Sequence, residues 1–281
     1  MYTLEECEGI WRKAIKLEEN SDYEQQAEKW LPYYQYLAEN YKIEKTKPKH
    51  EARISTEYMC REKILRPQDC VLDIGAGMGD YALEFASYGA EATALEISEP
   101  CIQVLRRRAE EKDIQNIRTI LKSWEEFSRN SQKKFDVVFS AMCPAICNAE
   151  QLLQMEDFSK RHCCLVAPVR GSYDKHRKAM MKMLGIKPKG MVTEAIHYIN
   201  TLYLMKRQVN VKTISVLEKN RLTEKEAVEQ YSIYFKIFGI SEARSSVFIR
   251  EYFKNNEKDG FLEEESCLKL ALISWETTVE K

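Results

Sequence analysis

The residues best equipped for chemistry fall in one short segment, Leu72-Asp73-Ile74-Gly75-Ala76-Gly77-Met78-Gly79-Asp80. Glycines at alternate positions let a backbone turn sharply and approach a ligand at distances that a side chain forbids. The apolar run Cys70-Val71-Leu72-Asp73-Ile74 precedes the turn, and an amphipathic stretch follows it. The glycines therefore join a buried strand to a helix whose first N–H groups face the same crevice. Glu96 ends the next apolar run, 21 positions after Gly75. An acid at that spacing is placed to accept both hydroxyls of a ribose. Ser123-Trp124-Glu125 follows a third apolar run, where Trp124 can pack on a purine face and a polar group can read its edge. The chemistry implied is the capture of an adenine nucleoside.

Two cofactors carry such a nucleoside. A nicotinamide dinucleotide prefers G-x-G-x-x-G, which accommodates a pyrophosphate. This chain has G-x-G-x-G, and Asp80 stands where the third dinucleotide glycine would fall. A carboxylate at the helix start opposes a pyrophosphate but tolerates a sulfonium and a zwitterionic amino acid, and Asp73 adds negative charge beneath the turn. These charges favour S-adenosylmethionine. An NAD-dependent oxidoreductase is the alternative, and a purely structural glycine turn is the reading that the spaced acid disfavours.

The elements that must position these groups follow from apolar periodicity. Tyr81, Ala82, Phe85 and Ala86 repeat at helical spacing up to Gly89, which suits a helix C-terminus. Ala92–Glu96 is a second strand. Ser98 caps the next helix with Pro100 in its first turn, and Ile102, Leu105 and Ala109 form its inward stripe. Ile117–Leu121, Phe135–Ser140 and Cys163–Ala167 supply three more strands. Strand–helix alternation of this kind implies a parallel sheet with helices on both faces. Before it, residues 1–65 read as helical and aromatic. Trp11, Ile15 and Leu17 start an apolar stripe, and Trp30, Tyr33, Tyr34, Tyr36, Leu37 and Tyr41 continue it. Pro32 is expected in a first helical turn or at a helix break, Lys42–Lys49 as a basic loop, and Ile54, Tyr58 and Ile64 as marks of a helix entering the core. After it, Ile196–Lys206 reads as a helix with Ile196, Ile199, Tyr203 and Leu204 along one side. Val209–Val216 and Cys267–Trp275 read as strands, with helices at Thr223–Phe238 and Ser241–Phe253.

V-L-D-I-G-A-G-M-G resembles the first motif of the class I S-adenosylmethionine-dependent methyltransferases, with Met78 where Thr, Pro or Ser is usual. A-T-A-L-E-I-S resembles their second motif, and Ser123-Trp124-Glu125 and F-D-V-V-F-S their third and fourth. The likeness covers about residues 60–170. It implies an α/β fold: a doubly wound, mostly parallel seven-stranded sheet with helices on both faces, here with an N-terminal helical lid and a C-terminal helical insertion. Val209–Val216 and Cys267–Trp275 are the candidates for the family's late antiparallel hairpin. The expected division is a lid at 1–60, a cofactor-binding core at 61–170, and the rest of the sheet with its cap at 171–281, within the same domain. The resemblance assigns Asp73, Gly75, Ala76, Gly77 and Gly79 to the methionine and ribose side. It assigns Glu96 to the ribose hydroxyls, Ile97, Ser123 and Trp124 to the adenine, and Ser140 to the same crevice.

The acceptor is less legible. Methyl transfer is an in-line displacement at a carbon already activated, so alignment does most of the work and a base is needed only for a protonated acceptor. Ser140-Ala-Met-Cys-Pro-Ala-Ile146 follows the fourth strand and departs from the Asn/Asp-Pro-Pro-Tyr signature of many amino-group methyltransferases. Met142 and Cys143 are therefore candidate pocket residues, with ordinary packing as the alternative. Trp30 and Tyr34 are candidates on a closing lid, and Gln26-Ala27-Glu28-Lys29-Trp30 resembles the Ala-x-x-Trp of such lids. Tyr198, Asn200 and Tyr203 are candidates for a polar aromatic wall. His197, His176 and His50 are base candidates of low specificity, and no catalytic residue is assigned.

The chain has 281 residues with a formal net charge of -1, so nothing global draws it to nucleic acid or acidic lipid. The basic stretch 170–190 is either an anion lure or a solvated helix face. No apolar run spans a bilayer, and the acidic N-terminus lacks a signal-peptide pattern. The nine cysteines are irregularly spaced, which excludes a disulfide framework and, with Cys143 and Cys147 alone at suggestive spacing, points to no metal site. The expectation is a cytoplasmic methyltransferase for a small-molecule acceptor, with RNA or protein as the alternative acceptor.

Overall fold

The computed structural model describes residues 3–15, 23–41, 50–129, 135–186 and 193–277. Leu17, the basic segment Lys42–Lys49, and Lys187 and Lys189 lie outside the described residues. So do the side chains of Ile15 and of Gln26–Lys29. Three helices come first: α1 (Leu4–Ile15), α2 (Tyr23–Glu39) and α3 (His50–Arg61). The alternating section follows as β1 (Cys70–Ile74), α4 (Asp80–Ser87), β2 (Glu91–Glu96), α5 (Glu99–Glu111), β3 (Ile117–Leu121), α6 (Trp124–Ser128), β4 (Phe135–Ala141), α7 (Ala149–Phe158) and β5 (Ser159–Pro168). Then come β6 (Tyr173–Asp174), α8 (Lys175–Met183), α9 (Ala195–Leu204), β7 (Val209–Leu222), α10 (Glu224–Lys236), α11 (Glu242–Asn256) and β8 (Leu262–Glu276).

The sheet runs β3-β2-β1-β4-β5-β8, with β7 on the far edge of β8 and the two-residue β6 pairing beside β5. The first five strands are parallel, whereas β8 is antiparallel to β5 and β7. Apart from the short β6, these are the seven strands and the late hairpin that the sequence implies. The hairpin is longer than its apolar run, pairing from Val209↔Trp275 to Leu222↔Leu262, because backbone pairing continues through charged, solvent-facing residues. The order turns at β1 and β4, where parallel sheets open a crevice at their carboxyl ends.

Alternation on the strands divides the core. Leu72 and Ile74 of β1 join Trp124, Leu152, Phe158 and Trp275 on one face. Val71 joins Phe85, Phe139 and Tyr81 on the other. Burying a side chain of this size contributes about 1.5–3 kcal/mol, so both faces are strongly specified. Ser98 caps α5 as the sequence implies, accepting from Cys101 N, while Thr223 forms a capping box with Glu226 and Ser241 accepts from Arg244 N at the starts of α10 and α11. The helical insertion has its own core around Tyr231, Phe235, Ile249 and Phe253.

Two expectations need correction. Pro32 lies inside α2, which continues through it. Helix α9 buries Ala195, Tyr198, Thr201 and Leu202, not the neighbouring stripe, leaving Ile196 49% and Tyr203 68% exposed. Small side chains at Ala195 and Thr201 allow close approach to the sheet, and the Tyr198 hydroxyl finds a buried acceptor. The apolar stripe alone does not weigh these contacts. Among the described residues no helix is long and apolar enough to cross a membrane.

Candidate active site

The glycine turn hangs from β2, since Gly75 N and Ala76 N both donate to Leu95 O, at 2.9 and 3.0 Å. Gly75 has φ +72°, and a Cβ there would run into Cys143 Sγ and lie 2.9 Å from Cys143 Cβ. Gly77 has φ +55° but no protein atom within 4 Å of an added Cβ. The chain thus leaves open space at Gly77, in the wall of the crevice. Glu96 reaches across from β2. Its Oε2 accepts from Gly77 N at 2.8 Å, and its Oε1 accepts from Ile97 N and Ser98 N, both at 2.9 Å. Burial raises the Glu96 pKa, and the three N–H donors pull it back. Oε2, with one protein partner, retains capacity for a hydroxyl donor.

Asp73 is 2% exposed. It accepts from the Ala82 N–H at the start of α4, while its Oδ2 has no hydrogen-bond partner. Burial, and next the Glu96 carboxylate, push its pKa up to about 8. Asp80 is paired with Arg108 at 2.8 Å, and the same Nη1 donates to Met78 O at 2.6 Å. Neither acid therefore presents the full negative charge that the sequence suggests: Asp80 is compensated by Arg108, and burial pushes the Asp73 carboxyl toward its neutral form. The open space at Gly77 and the grip of Glu96 serve the nucleoside that both cofactors share.

Beyond Glu96 the crevice is lined by Ile97, Lys122, Ser123 and Trp124. Ser123 caps α6, accepting from Glu126 N at 3.0 Å, and Lys122 pairs with Glu126 at 3.1 Å. Trp124 is 3% exposed and packs on Phe158, ring centroids 4.9 Å apart. Its Nε1 has no partner. Ile97 is 45% exposed beside it, an apolar surface suited to a purine.

Across from the turn, Trp30, Tyr34 and Leu37 of α2 line the crevice, as do Met142 and Cys143 after β4. Met142 has φ +49°, a left-handed conformation that costs a non-glycine residue about 1–2 kcal/mol. Burial pushes the Cys143 thiol up to about 12, so it stays protonated.

Several expected site residues do not line the crevice. Gly79 is the packing glycine of the turn, because a Cβ there would lie 2.6 Å from Leu105 Cγ. Ser140 donates to Ile74 O at 3.0 Å and ties β4 to β1. Tyr198 is 4% exposed and donates to Ile146 O at 2.5 Å, bracing the loop after β4 from behind. Asn200 and Tyr203 face outward, because α9 is turned by one residue from the expected face. Of the histidines, His176 is enclosed in the cap between Tyr252 Oη and Glu263 O. His197 stacks on Trp11, and His50 is exposed. The basic stretch is engaged locally: Arg170 with Glu194, Arg177 with Asp174, and Lys178 with Ser172 O. Cys147 Sγ contacts Gln151 Oε1, and among the described residues no cluster is placed to hold a metal.

Conversely, Leu37, Tyr81, Lys122 and Pro144 also line the crevice, although their sequence context points to no ligand role. Trp30, Tyr34 and Leu37 share one helical face by their spacing, a signal that was available. Tyr81 reads as core packing from its spacing, and nothing in its sequence context marks its hydroxyl.

Open space at a positive-φ glycine, a buried acid held by backbone donors, an apolar flank at Ile97 and an unpartnered carboxylate oxygen fit an adenosine bearing a charged amino acid. Residues 71–161 match the methyltransferase-domain family. No curated protein matches the chain in sequence. Among solved structures, the YcgJ protein of Bacillus subtilis is similar at a TM-score of 0.50 and 15% identity, over 79% of this chain and 97% of that one. Coclaurine N-methyltransferase, bound to N-methylheliamine and S-adenosylhomocysteine, scores 0.48 at 12% identity, over 97% and 94%. Magnesium protoporphyrin IX methyltransferase of Synechocystis scores 0.46 at 12% identity, over 93% and 91%. The first of these likenesses is one of fold, and the family match spans the segment that carries the glycine turn, Glu96 and Trp124. Residues 71–161 are thus similar to a methyltransferase domain, and the cofactor that this match supports is S-adenosylmethionine.

Proposed function

We propose that this protein methylates a small molecule in the cytoplasm, within a crevice roofed by its N-terminal helices. The observation that carries this reading is the position of α2. Trp30, Leu31, Tyr34 and Leu37 line the crevice opposite Gly75, Gly77 and Met78. Helix α2 rests on α5 through Ala38, Cys101 and Val104. It also meets α10 through Tyr234, whose ring is 5.9 Å from Tyr33 and 6.4 Å from Trp30. A roof held by α5 at Ala38 and by α10 at Trp30 and Tyr33 suits a compact acceptor better than a polynucleotide or a folded protein. On this reading residues 1–60 act as the lid, 61–170 hold the cofactor, and 171–281 complete the sheet and cap it.

The bound cofactor supplies a methyl group on a sulfonium. The chain's own part is positioning. Glu96 holds the sugar, Trp30 and Tyr34 shut out water, and Met142, Cys143 and Pro144 form the floor on which the acceptor is aligned. Alignment of this kind is worth roughly 7–11 kcal/mol of barrier. Among the described residues lining the crevice the one Lys or Arg is Lys122, which pairs with Glu126, and this favours a neutral or amine acceptor over a phosphate or carboxylate. The nine free thiols suit a reducing compartment.

Incubating the protein with tritium-labelled S-adenosylmethionine and a size-fractionated cell extract tests the proposal. Label should appear in the fraction below about 1 kDa and should be lost in Trp30→Ala with Tyr34→Ala. Label confined to RNA or protein would overturn it.

A further inference from the structure

Strand β7 closes one side of the sheet. Its 14 residues pair with β8 from Val209↔Trp275 to Leu222↔Leu262 without a register shift. Among the described residues no strand pairs with its other side. At the opposite edge β3 has only 5 residues. An open row of N–H and C=O groups is a template for another chain, and edge strands are commonly blunted by a proline, a bulge or short length. None of these devices interrupts β7. Ile214 and Val216 point into the core. By alternation Val211, Thr213, Ser215 and Leu217 stand on the other face. All four are exposed, Val211 by 44% and Leu217 by 57%. The strand also carries four charged residues, Lys212, Glu218, Lys219 and Arg221. Two are engaged within the chain: Lys219 pairs with Glu265 at 3.4 Å, and the Arg221 guanidinium lies 4.3 Å from the centroid of the Phe261 ring. Lys212 and Glu218 are exposed, and neither makes an ion pair among the described residues.

These two unspent charges stand three residues before and three residues after Ser215. A strand that pairs antiparallel with its own copy, about a two-fold axis at one residue, matches positions equidistant from that residue. With the axis at Ser215, Lys212 of each copy falls opposite Glu218 of the other. Thr213 falls opposite Leu217, Ile214 opposite Val216, Val211 opposite Lys219, and Asn210 opposite Asn220, so no like charges meet. Opposite side chains in an antiparallel pair share a face with Cβ atoms about 4.5–5.5 Å apart, close enough for an ion pair. Moving the axis by one residue destroys the match. At Ile214, Lys212 faces Val216 and Glu218 faces Asn210. At Val216, Lys212 faces Asn220 and Glu218 faces Ile214. We propose that this protein forms a symmetric dimer in which the β7 edges of two copies pair antiparallel about Ser215, closing two Lys212–Glu218 ion pairs and joining the two sheets into one. An axis perpendicular to the sheet keeps Ile214 and Val216 of both copies on one face, so each core stays covered as it is in the single chain. The same surface serves both copies, as a two-fold interface requires. The pairing also consumes the edge that would otherwise recruit further strands.

Sedimentation velocity of the full chain, from about 1 to 100 µM, measures the assembly, and reversal of charge measures its register. The wild type should sediment at twice the mass of the chain. Lys212→Glu places two pairs of like charges across the axis and should weaken the dimer about tenfold or more. Glu218→Lys should do the same. The double variant Lys212→Glu, Glu218→Lys restores both pairs in the reverse sense and should return the dimer to near wild-type affinity. A monomeric wild type over that range would overturn the proposal, whether the edge stays open or another segment of the chain covers it. So would a dimer that tolerates both single reversals, or one that the double reversal does not rescue. All the substituted positions are exposed, and an unchanged circular dichroism spectrum for each variant separates lost pairing from lost fold.

Discussion

Alanine at Gly75 and alanine at Gly77 look alike in sequence, but the structure separates them. Both glycines have positive φ, so either substitution places an alanine in the left-handed region at a cost of about 1–2 kcal/mol. At Gly75 the new Cβ also meets Cys143 Sγ and Cβ, and overpacking of that kind adds about 1–3 kcal/mol. At Gly77 it meets nothing. Gly75→Ala should therefore destabilise the ligand-free protein by about 2–5 kcal/mol, and Gly77→Ala by only about 1–2. Each kcal/mol corresponds to roughly 2–4 °C in Tm for a chain near this size. Binding should separate the pair in the opposite sense. Gly77→Ala intrudes where the ligand lies and should weaken S-adenosylhomocysteine by roughly a hundredfold, about 2.7 kcal/mol. The Gly75→Ala, Cys143→Ala double variant should recover part of the lost stability, since it removes the Sγ collision but keeps a Cβ at 2.9 Å. Urea denaturation and calorimetry measure both quantities. Equal destabilisation by the two substitutions, or no recovery in the double variant, would refute the packing argument. Unimpaired binding by Gly77→Ala would refute the location of the cofactor.

Further expectations concern the supports of the site. Asp73 has a folded pKa of about 8, above its unfolded value, so the stability it contributes is present at low pH and is lost as pH rises through 8. Asp73→Asn should therefore be more stable than wild type at pH 9 but not at pH 3, by thermal unfolding of the ligand-free protein. Tyr198→Phe leaves the buried Ile146 carbonyl without its donor, so stability should fall by about 1–3 kcal/mol, with kcat reduced more than the cofactor KM is raised. Ser98→Ala removes the cap of α5 and should cost about 1 kcal/mol in urea unfolding. His176 has its pKa lowered by burial, so its contribution is present above the unfolded value and lost on acidification. His176→Gln should flatten the fall in Tm between pH 7 and 5.

Much of this architecture is legible because local chemistry and global packing agree there. The strands β1 to β5 are short apolar runs closed by turn residues, and Ser98 caps its helix as its position implies. Glu96 is readable because strand length and turn geometry fix its distance from Gly75. Less legible are features set by partners remote in sequence. The buried face of α9 is chosen by Ile146, Trp11 and the sheet, so a count of apolar positions selects the wrong side by one residue. Asp80 reads as a bare charge until α5 brings Arg108 to it across 28 positions. Tyr81 reads as core because only the fold places its hydroxyl at the crevice wall. Gly79 and Ser140 match the motif pattern yet serve packing and strand pairing, which the pattern alone does not distinguish from ligand contact.

The central claim is that Glu96 and the turn around Gly77 bind S-adenosylmethionine. Calorimetric titration of the wild-type protein and of Glu96→Ala with that compound, with NADH as the comparison ligand, tests it most directly. The account predicts one site per chain for S-adenosylmethionine in the wild type, loss of that binding in Glu96→Ala, and no heat from NADH. Unchanged affinity in the variant, or binding of NADH in its place, would contradict it.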